Sequence, residues 1–159
     1  MIIREIKPND NEHVYRLIKL CFDEFNLETS GSSLEDDDIK DMYQGFQIDR
    51  AVYYVLLDNG QVLGGAGIKQ LKDYKSDTCE LQKMYFLPEA RGKGFGKIIF
   101  DMCIRAAKDF KFKYCYLESS SQLKTALALY EKNGFKYLKS SLGNTGHTIC
   151  GIYMQKELI

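Results

Sequence analysis

A glycine-rich loop with basic residues is the part of this sequence best suited to bind a phosphate group. It lies within residues 87–100, LPEARGKGFGKIIF, directly before a run with helical periodicity. Glycines and cations alternate in it: Arg91, Gly92, Lys93, Gly94, Gly96 and Lys97. The start of a helix exposes about four unpaired backbone N–H groups and the positive end of the helix dipole. Because glycine has no Cβ, these amides can approach an anion closely, and we predict that the loop binds a phosphate.

Two common phosphate-binding motifs fit this loop poorly. The Walker A motif, GxxxxGK[ST], fails at Arg91 and at Ile98, and the dinucleotide fingerprint GxGxxG fails at Lys97, its third glycine position. Glu118 ends a predicted strand about 20 residues further on, where a ribose-binding acid stands in Rossmann folds. The loop, however, follows a hairpin-linked region, and only one βαβ unit surrounds it. A nucleotide-binding Rossmann enzyme is therefore the least favoured alternative.

A third pattern, [RQ]xxGx[GA], matches at all of its fixed positions: Arg91, Gly94 and Gly96. A second motif, ALALYEKNGF at residues 126–135, follows it and contains Tyr130. Together, and in this order, the two motifs resemble the acetyl-CoA loop and the fourth helix of the GCN5-related N-acetyltransferase (GNAT) superfamily. The resemblance extends over nearly the whole chain. It departs from the family at Leu123, where many members carry an asparagine.

The resemblance implies an α+β fold with a mixed sheet, the GNAT (acyl-CoA N-acyltransferase) fold. Its central sheet is largely antiparallel, splays between strands 4 and 5, and is flanked by helices, in one domain over residues 1–159. The implied acetyl donor is acetyl-CoA, with CoA as product. Its pyrophosphate would lie on the loop amides and its pantetheine arm along the backbone of strand 4. The implied cofactor-binding residues are Met84, Tyr85, Phe86, Arg91, Gly92, Lys93, Gly94, Phe95, Gly96 and Lys97.

The implied reaction moves the acetyl group directly from the thioester to a primary amine of a small molecule or protein. By resemblance Tyr130 protonates the departing thiolate, since a phenol with an ordinary pKa near 10 is protonated at neutral pH. A backbone N–H of residues 84–86 would stabilise the oxyanion. A base must also take a proton from the amine. Glu80 and Glu118 both stand where family members place a base, and burial could raise the pKa of either; a water chain is a third alternative.

Other polar segments give weaker indications. We interpret the acidic run EDDD (35–38) mainly as a complement to a helix dipole, with attraction of a cationic amine as the alternative. His147, within the turn segment 143–151, is interpreted as a structural hydrogen-bonding residue. Because Leu123 replaces the family's asparagine, a non-catalytic CoA-binding sensor or interaction module on the same fold stays open as an alternative function.

The elements that must position these residues follow from hydrophobic periodicity and turn signals. Gly64, Gly65 and Gly67 predict a bulge or a close approach of two backbones. The predicted strands are 2–6, 51–57, 62–71, 79–87, 113–119, 135–140 and 148–158. The predicted helices are about 10–25, 34–44, 94–110 and 123–132.

The composition excludes several classes of protein. The chain has 159 residues and a formal net charge of zero, so no strong field favours nucleic acid or an anionic membrane. It has no apolar run of ~18 residues and no apolar leader near its start, so we expect a cytoplasmic protein with neither nucleic acid nor membrane as partner. Five scattered cysteines and two histidines favour reduced structural thiols and no metal site. The expected partner is a small-molecule or peptide amine, and a homodimer is possible.

Overall fold

The computed structural model describes residues 1–159 as seven strands and four α-helices. The strands are β1 (Ile2–Glu5), β2 (Val52–Asp58), β3 (Gln61–Gln70), β4 (Thr78–Phe86), β5 (Tyr114–Ser119), β6 (Lys136–Tyr137) and β7 (Ile152–Glu157). The helices are α1 (Asn11–Glu24), α2 (Met42–Gly45), α3 (Phe95–Asp109) and α4 (Lys124–Lys132). This element order is the one predicted from the sequence. None of the helices combines the length and the apolar character that a membrane span requires.

All seven strands form one mixed sheet in the order β1-β2-β3-β4-β5-β7-β6. Every neighbouring pair is antiparallel except β4 and β5, which are parallel. That parallel pairing covers only Thr78–Glu80 against Tyr114–Tyr116. Beyond Glu80, β4 continues to Phe86 without β5 beside it. The predicted α+β fold and its splay between strands 4 and 5 are confirmed, and the splay leaves one side of β4 without a strand partner.

A bulge in β4 lies next to the splay. The β3–β4 register shifts between Gly65 and Gly67, so that β4 has one extra residue there. Lys83, inside the bulge, has a left-handed φ of 50°. The buried Tyr53 hydroxyl donates a hydrogen bond of 2.8 Å to the Lys83 carbonyl and holds this conformation. The bulge predicted within β3 is a separate one, opposite Leu56 and Leu57, where β3 has an extra residue next to Gly64. The β4 bulge was not predicted, and it bends β4 where its pairing with β5 has ended.

The helices pack against the sheet around a core cluster of 34 buried residues. The apolar stripe of α1 (Val14, Leu17, Ile18) and that of α3 (Ile99, Phe100, Cys103) are fully or almost fully buried against it. Because β4 lies in the middle of the sheet and contacts both α1 and α3, its backbone is held from several sides. The splay is therefore an opening within a packed part of the structure.

The prediction of a helix over residues 34–44 is wrong. A 3₁₀ turn covers Ser33–Glu35 and the four-residue α2 begins only at Met42. Between them Asp36 has an extended backbone, with ψ of 141°. A local cap signal suggested the helix, but tertiary ion pairs of the acidic run determine the backbone instead.

The dipole interpretation of the acidic run is wrong for the same reason. Two of its four carboxylates form ion pairs with lysines of the sheet. Asp36 lies 2.7 Å from Lys83 Nζ. Asp38 lies 2.8 Å from Lys69 Nζ and 3.4 Å from Lys83 Nζ. These contacts hold the segment between α1 and α2 (residues 25–41), here called the α1–α2 segment, against the β4 bulge.

The last two strands are shorter than predicted. The strand expected over 135–140 is reduced to Lys136–Tyr137, and β7 begins at Ile152 instead of 148. The intervening segment leaves the sheet, because Gly151 turns with a φ of 76° and the Thr148 amide donates to the Gly31 carbonyl at 2.9 Å. The later part of this segment, at His147 and Thr148, therefore contacts the chain between α1 and α2, whereas Asn144 bonds to the Lys72 carbonyl in the β3–β4 connection.

Lys83 is the clearest test of this arrangement. Its side chain is 2% exposed and lies between two carboxylates. We expect Lys83→Ala to lower the free energy of unfolding by about 2 kcal/mol, because it removes a buried cation and leaves Asp36 and Asp38 with one cationic partner each, His147 and Lys69. Urea denaturation measures this, with Lys97→Ala as control: Lys97 forms an exposed i,i+4 pair with Asp101, whose loss should cost no more than about 0.5 kcal/mol. Equal losses in the two variants would contradict the structural role of Lys83.

Candidate active site

Two cavities of about 490 Å³ each lie on either side of the second half of β4. The first, here called the loop cleft, is bounded by residues that include Met84, Phe86, Arg91, Gly94, Gly96 and Ala126. The second, here called the splay cavity, is bounded by residues that include Phe22, Ser33, Glu80, Lys83, Glu118 and His147. Tyr85, Gln122 and Leu123 border both, so the cavities adjoin where β4 and β5 separate.

The glycine loop delivers unpaired amides to the loop cleft. Gly94 is the N-terminal cap of α3 with a φ of 85°, and Gly92 also has a positive φ of 70°. The first helical hydrogen bond runs from the Ile98 amide to the Gly94 carbonyl at 3.1 Å. The amides of residues 95–97 therefore precede the helical ladder and lack partners within it. This is the anion-binding arrangement that the sequence predicted, and binding itself stays a prediction.

The basic residues of the loop differ in what they contact. The Arg91 guanidinium binds both carboxylate oxygens of Glu24, at 2.6 and 2.7 Å, and its Nε donates to the Phe86 carbonyl at 2.8 Å. Arg91 thus ties the end of α1 to the end of β4 and holds the loop in place. Lys97 pairs with Asp101, whereas Lys93 is exposed and free of ion pairs. A direct contact of Arg91 with phosphate stays a prediction.

The splayed part of β4 forms one wall of the loop cleft. The Phe86 ring lies over Gly64, where an added Cβ would come within 2.1 Å of it. Gly64 is therefore required to seat this ring. The Met84 side chain extends toward α4, where its Sδ lies 3.8 Å from the Tyr130 hydroxyl. The predicted backbone interactions of residues 84–86 remain predictions, but this segment does line the cleft on its unpaired side.

Tyr130 is both a core residue and a proton donor without a strong acceptor. Its ring is 5% exposed and packs against Phe100 and Phe135, with ring centroids 6.1 and 5.9 Å away. The only partner of its hydroxyl is the Met84 sulfur, a weak acceptor. Burial raises the Tyr130 pKa above its usual value of 10, so the hydroxyl keeps its proton at neutral pH.

Glu80 is a buried carboxyl whose charge is only partly compensated. It is 5% exposed, and its single hydrogen bond comes from the Gln82 side chain at 2.6 Å. Burial, with a smaller contribution from the nearby Glu118 carboxylate, raises the Glu80 pKa to about 7, against the opposing charges of His147 and Lys83. At neutral pH Glu80 can therefore both accept and release a proton.

Glu118 has a different environment in the same cavity. Its Oε2 accepts a hydrogen bond of 2.6 Å from the Tyr116 hydroxyl, and its Oε1 accepts one of 2.8 Å from Thr145. Oε1 also lies 3.5 Å from His147 Nδ1. The structure thus brings the two predicted base candidates together at the splay, with Glu118 held by three donors and Glu80 by one.

His147 links the segments that surround the splay cavity. Its Nε2 lies 2.8 Å from Asp36 on the α1–α2 segment, and its Nδ1 faces Glu118 on β5. Burial lowers the His147 pKa, but hydrogen bonds with Asp36, Cys150 and Glu118 outweigh it and raise the pKa to about 12. Its predicted role as a structural hydrogen-bonding residue is confirmed.

Sequence reasoning missed two residues of the splay cavity. Lys83 lies at its base, and a buried lysine in a bulge has no local sequence signal that sets it apart from a strand lysine on the surface. Ser33 carries the one buried side-chain polar atom without a hydrogen-bond partner, its Oγ. A buried unpaired hydroxyl in a cavity wall is suited to a polar ligand.

Comparisons with known proteins agree with this geometry. Residues 12–135 match the sequence model of the Acetyltransferase (GNAT) family. The chain is 40% identical over 158 residues to the uncharacterized N-acetyltransferase YjgM of Escherichia coli (strain K12), covering 99% of this chain and 95% of that protein.

Solved structures share the fold. An acetyltransferase of the GNAT family from Staphylococcus aureus Mu50 superposes with a TM-score of 0.86 at 19% identity, covering 99% of both chains. The acetyltransferase yncA of Salmonella typhimurium, solved with its cofactor acetyl-CoA, superposes with a TM-score of 0.74 at 20% identity, covering 100% of this chain and 94% of that one.

Proposed function

We propose that this chain, which belongs to the acetyltransferase (GNAT) family, transfers an acetyl group from acetyl-CoA directly to a primary amine of a small molecule or peptide. The observation that carries the proposal is the meeting of two cavities at Tyr85, where β4 and β5 separate. A thioester that reaches this point from the loop cleft would face an amine in the splay cavity.

The loop cleft would hold the cofactor through backbone groups. The unpaired amides of residues 95–97 would bind the pyrophosphate of acetyl-CoA, supported by the positive end of the α3 dipole. The pantetheine arm would lie along residues 84–86, where β4 has no strand on its β5 side and can pair there with an amide-bearing chain. This arrangement depends on main-chain geometry more than on the side chains of Met84 and Phe86.

Glu80 is our choice for the base. The attacking amine must lose a proton, and Glu80 borders the splay cavity with a pKa of about 7 and a single hydrogen-bond donor. Glu118 is occupied by Tyr116, Thr145 and His147, so it serves to hold the cavity wall. A base whose pKa lies close to neutral pH is the more effective proton acceptor.

Two residues account for the two proton transfers of the reaction. The amine nitrogen attacks the thioester carbonyl carbon, the carbon–sulfur bond breaks, the amine proton passes to Glu80, and Tyr130 gives its proton to the departing CoA thiolate. A backbone N–H of residues 84–86 would stabilise the oxyanion. The free Ser33 hydroxyl would bind a polar group of the acceptor.

Cofactor binding tests the proposal first. We expect isothermal titration to show acetyl-CoA binding, and Gly94→Ala to weaken it about tenfold. An alanine relaxes out of the left-handed region and turns the amides away, and restoring the loop costs about 1–2 kcal/mol. Gly60→Ala is a matched control, because Gly60 also has a positive φ, of 80°, with open space around it, but lies in the β2–β3 hairpin. It should lose comparable stability and keep its affinity.

Transfer is tested with a broad panel of amines and acetyl-CoA, read by thiol release and by the mass of the acetylated product. Absence of acetyl-CoA binding in folded protein would end the proposal. Binding without transfer to any amine would favour the alternative function, a non-catalytic CoA-binding module.

A further inference from the structure

We propose that Glu118, His147 and Cys150 form a binding site for a zinc ion in the wall of the splay cavity. A carboxylate oxygen, an imidazole nitrogen and a thiol sulfur from these residues all lie within 4.8 Å of one another. All three residues border the same cavity, with the His147 and Glu118 side chains 12% and 3% exposed, so an ion would reach them from within that cavity. Sulfur, nitrogen and oxygen donors in a compact set of three suit Zn²⁺ better than Mg²⁺ or Ca²⁺, which select oxygen alone.

Hydrogen bonds from outside the set orient two of the ligands. His147 Nε2 lies 2.8 Å from Asp36 Oδ1, and this contact directs the other ring nitrogen, Nδ1, toward Glu118. The Tyr116 hydroxyl donates to Glu118 Oε2 at 2.6 Å, and Oε1, which also accepts from Thr145 at 2.8 Å, lies on the side of the histidine. A histidine that donates its second N–H to a carboxylate is the usual arrangement around protein-bound zinc. Asp36 and Tyr116 would supply this outer support here.

Charged groups of both signs surround the site. His147 lies between the carboxylates of Asp36 and Glu118, with the Glu80 carboxyl and the Lys83 ammonium in the same cavity. Zn²⁺ would take the position of the Nδ1 proton, and its binding would release that proton and one from the Cys150 sulfur. Because two protons leave as Zn²⁺ enters, the net charge of the set would not change.

Three protein ligands leave a fourth position open, and it would face the splay cavity. A zinc ion bound here would join β5 to segment 143–151 and reduce the room for an acceptor. One part of the proposal rests on the proposed function: bound zinc would inhibit transfer by competing with the amine and not with acetyl-CoA. The sequence did not indicate this site because its ligands come from separate elements without a short motif.

The test uses Co²⁺ as a coloured substitute for zinc, titrated into reduced protein freed of metal with EDTA. We expect one ion per chain, a thiolate-to-cobalt charge-transfer absorption, and loss of that absorption when Zn²⁺ is added. Cys150→Ser, a conservative change at a half-buried position, should abolish the absorption. His147→Gln should weaken binding by at least about tenfold. His13→Ala, at the exposed second histidine of the chain, should leave both unchanged.

The absence of charge-transfer absorption at saturating Co²⁺ in folded protein would overturn the site, as would its persistence in Cys150→Ser. This readout needs neither acetyl-CoA nor an amine, so it succeeds or fails separately from the proposed function. In an active preparation, Zn²⁺ should raise the apparent KM for the amine in the wild type and not in Cys150→Ser. An equal effect on both would exclude inhibition through this site.

Discussion

Replacing Glu80 with Gln should lower kcat/KM for the amine by about 10²–10⁴-fold, the usual contribution of a positioned general base. The affinity for acetyl-CoA should stay at the wild-type value, because Glu80 borders the splay cavity and not the loop cleft. Gln has nearly the same shape as Glu, so the packing around this buried position is kept. Steady-state kinetics with the best amine of the panel, together with calorimetry for the cofactor, measure the two effects.

The pH dependence of the rate identifies the base more sharply. A base is active when deprotonated, so wild-type kcat/KM should rise with pH through about 7, the pKa that burial gives Glu80, and then level off. The groups that act on Glu80 are Gln82, Glu118, His147 and Lys83. In Glu80→Gln this rise should disappear. EDTA in the assay keeps metal ions out of the cavity during the measurement.

Glu118→Gln is the matched control, since it changes a carboxylate in the same cavity. Its removal takes away a negative charge that raises the Glu80 pKa, so the rising limb should move to lower pH and persist. If Glu118→Gln erased the limb and Glu80→Gln kept it, the assignment of the base would be reversed. If both variants kept the rising limb, a water chain would be favoured as the base.

The local parts of this site could be predicted from the sequence. The glycine loop, the helix after it and the helix containing Tyr130 each depend on residues close together in the chain, where cap, turn and periodicity rules apply. The β3 glycines predicted a bulge or a close approach of two backbones, because glycine inside a strand usually marks one or the other, and β3 has a bulge next to Gly64.

The rest depends on contacts between distant segments. The helix predicted at 34–44 failed because Asp36 and Asp38 bind Lys83 and Lys69, and no local rule measures those distant partners. For the same reason the sequence left Glu80 and Glu118 equal as bases. The two carboxylates differ in their hydrogen-bond donors: each has one on its own strand, Gln82 for Glu80 and Tyr116 for Glu118, but only Glu118 also receives one from a distant segment, from Thr145.

Tyr130→Phe should lower kcat by about 10²-fold, at the lower end of what a general acid contributes. Without the phenol, the CoA thiolate must leave unprotonated or take a proton from water. The KM for acetyl-CoA should change little, because the ring and its packing against Phe100 and Phe135 remain. Stability should change by less than about 1 kcal/mol, since the lost hydroxyl has only the Met84 sulfur as a partner. Single-turnover kinetics and thermal unfolding measure these quantities.

Tyr137→Phe is the control, because Tyr137 is 53% exposed on β6 and its hydroxyl binds Glu131 instead of facing Met84. It should match the wild type in rate. A Tyr130→Phe variant with full kcat would show that the thiolate leaves without this acid, and Tyr130 would then be a core residue alone. The buried phenol and its weak acceptor argue the other way, because a core that needed only the ring would gain from Phe. Tyr130 is not itself exposed in either cavity, but its hydroxyl reaches the sulfur of Met84, which lines the loop cleft, so a small shift of Met84 would bring the phenol to a sulfur bound there.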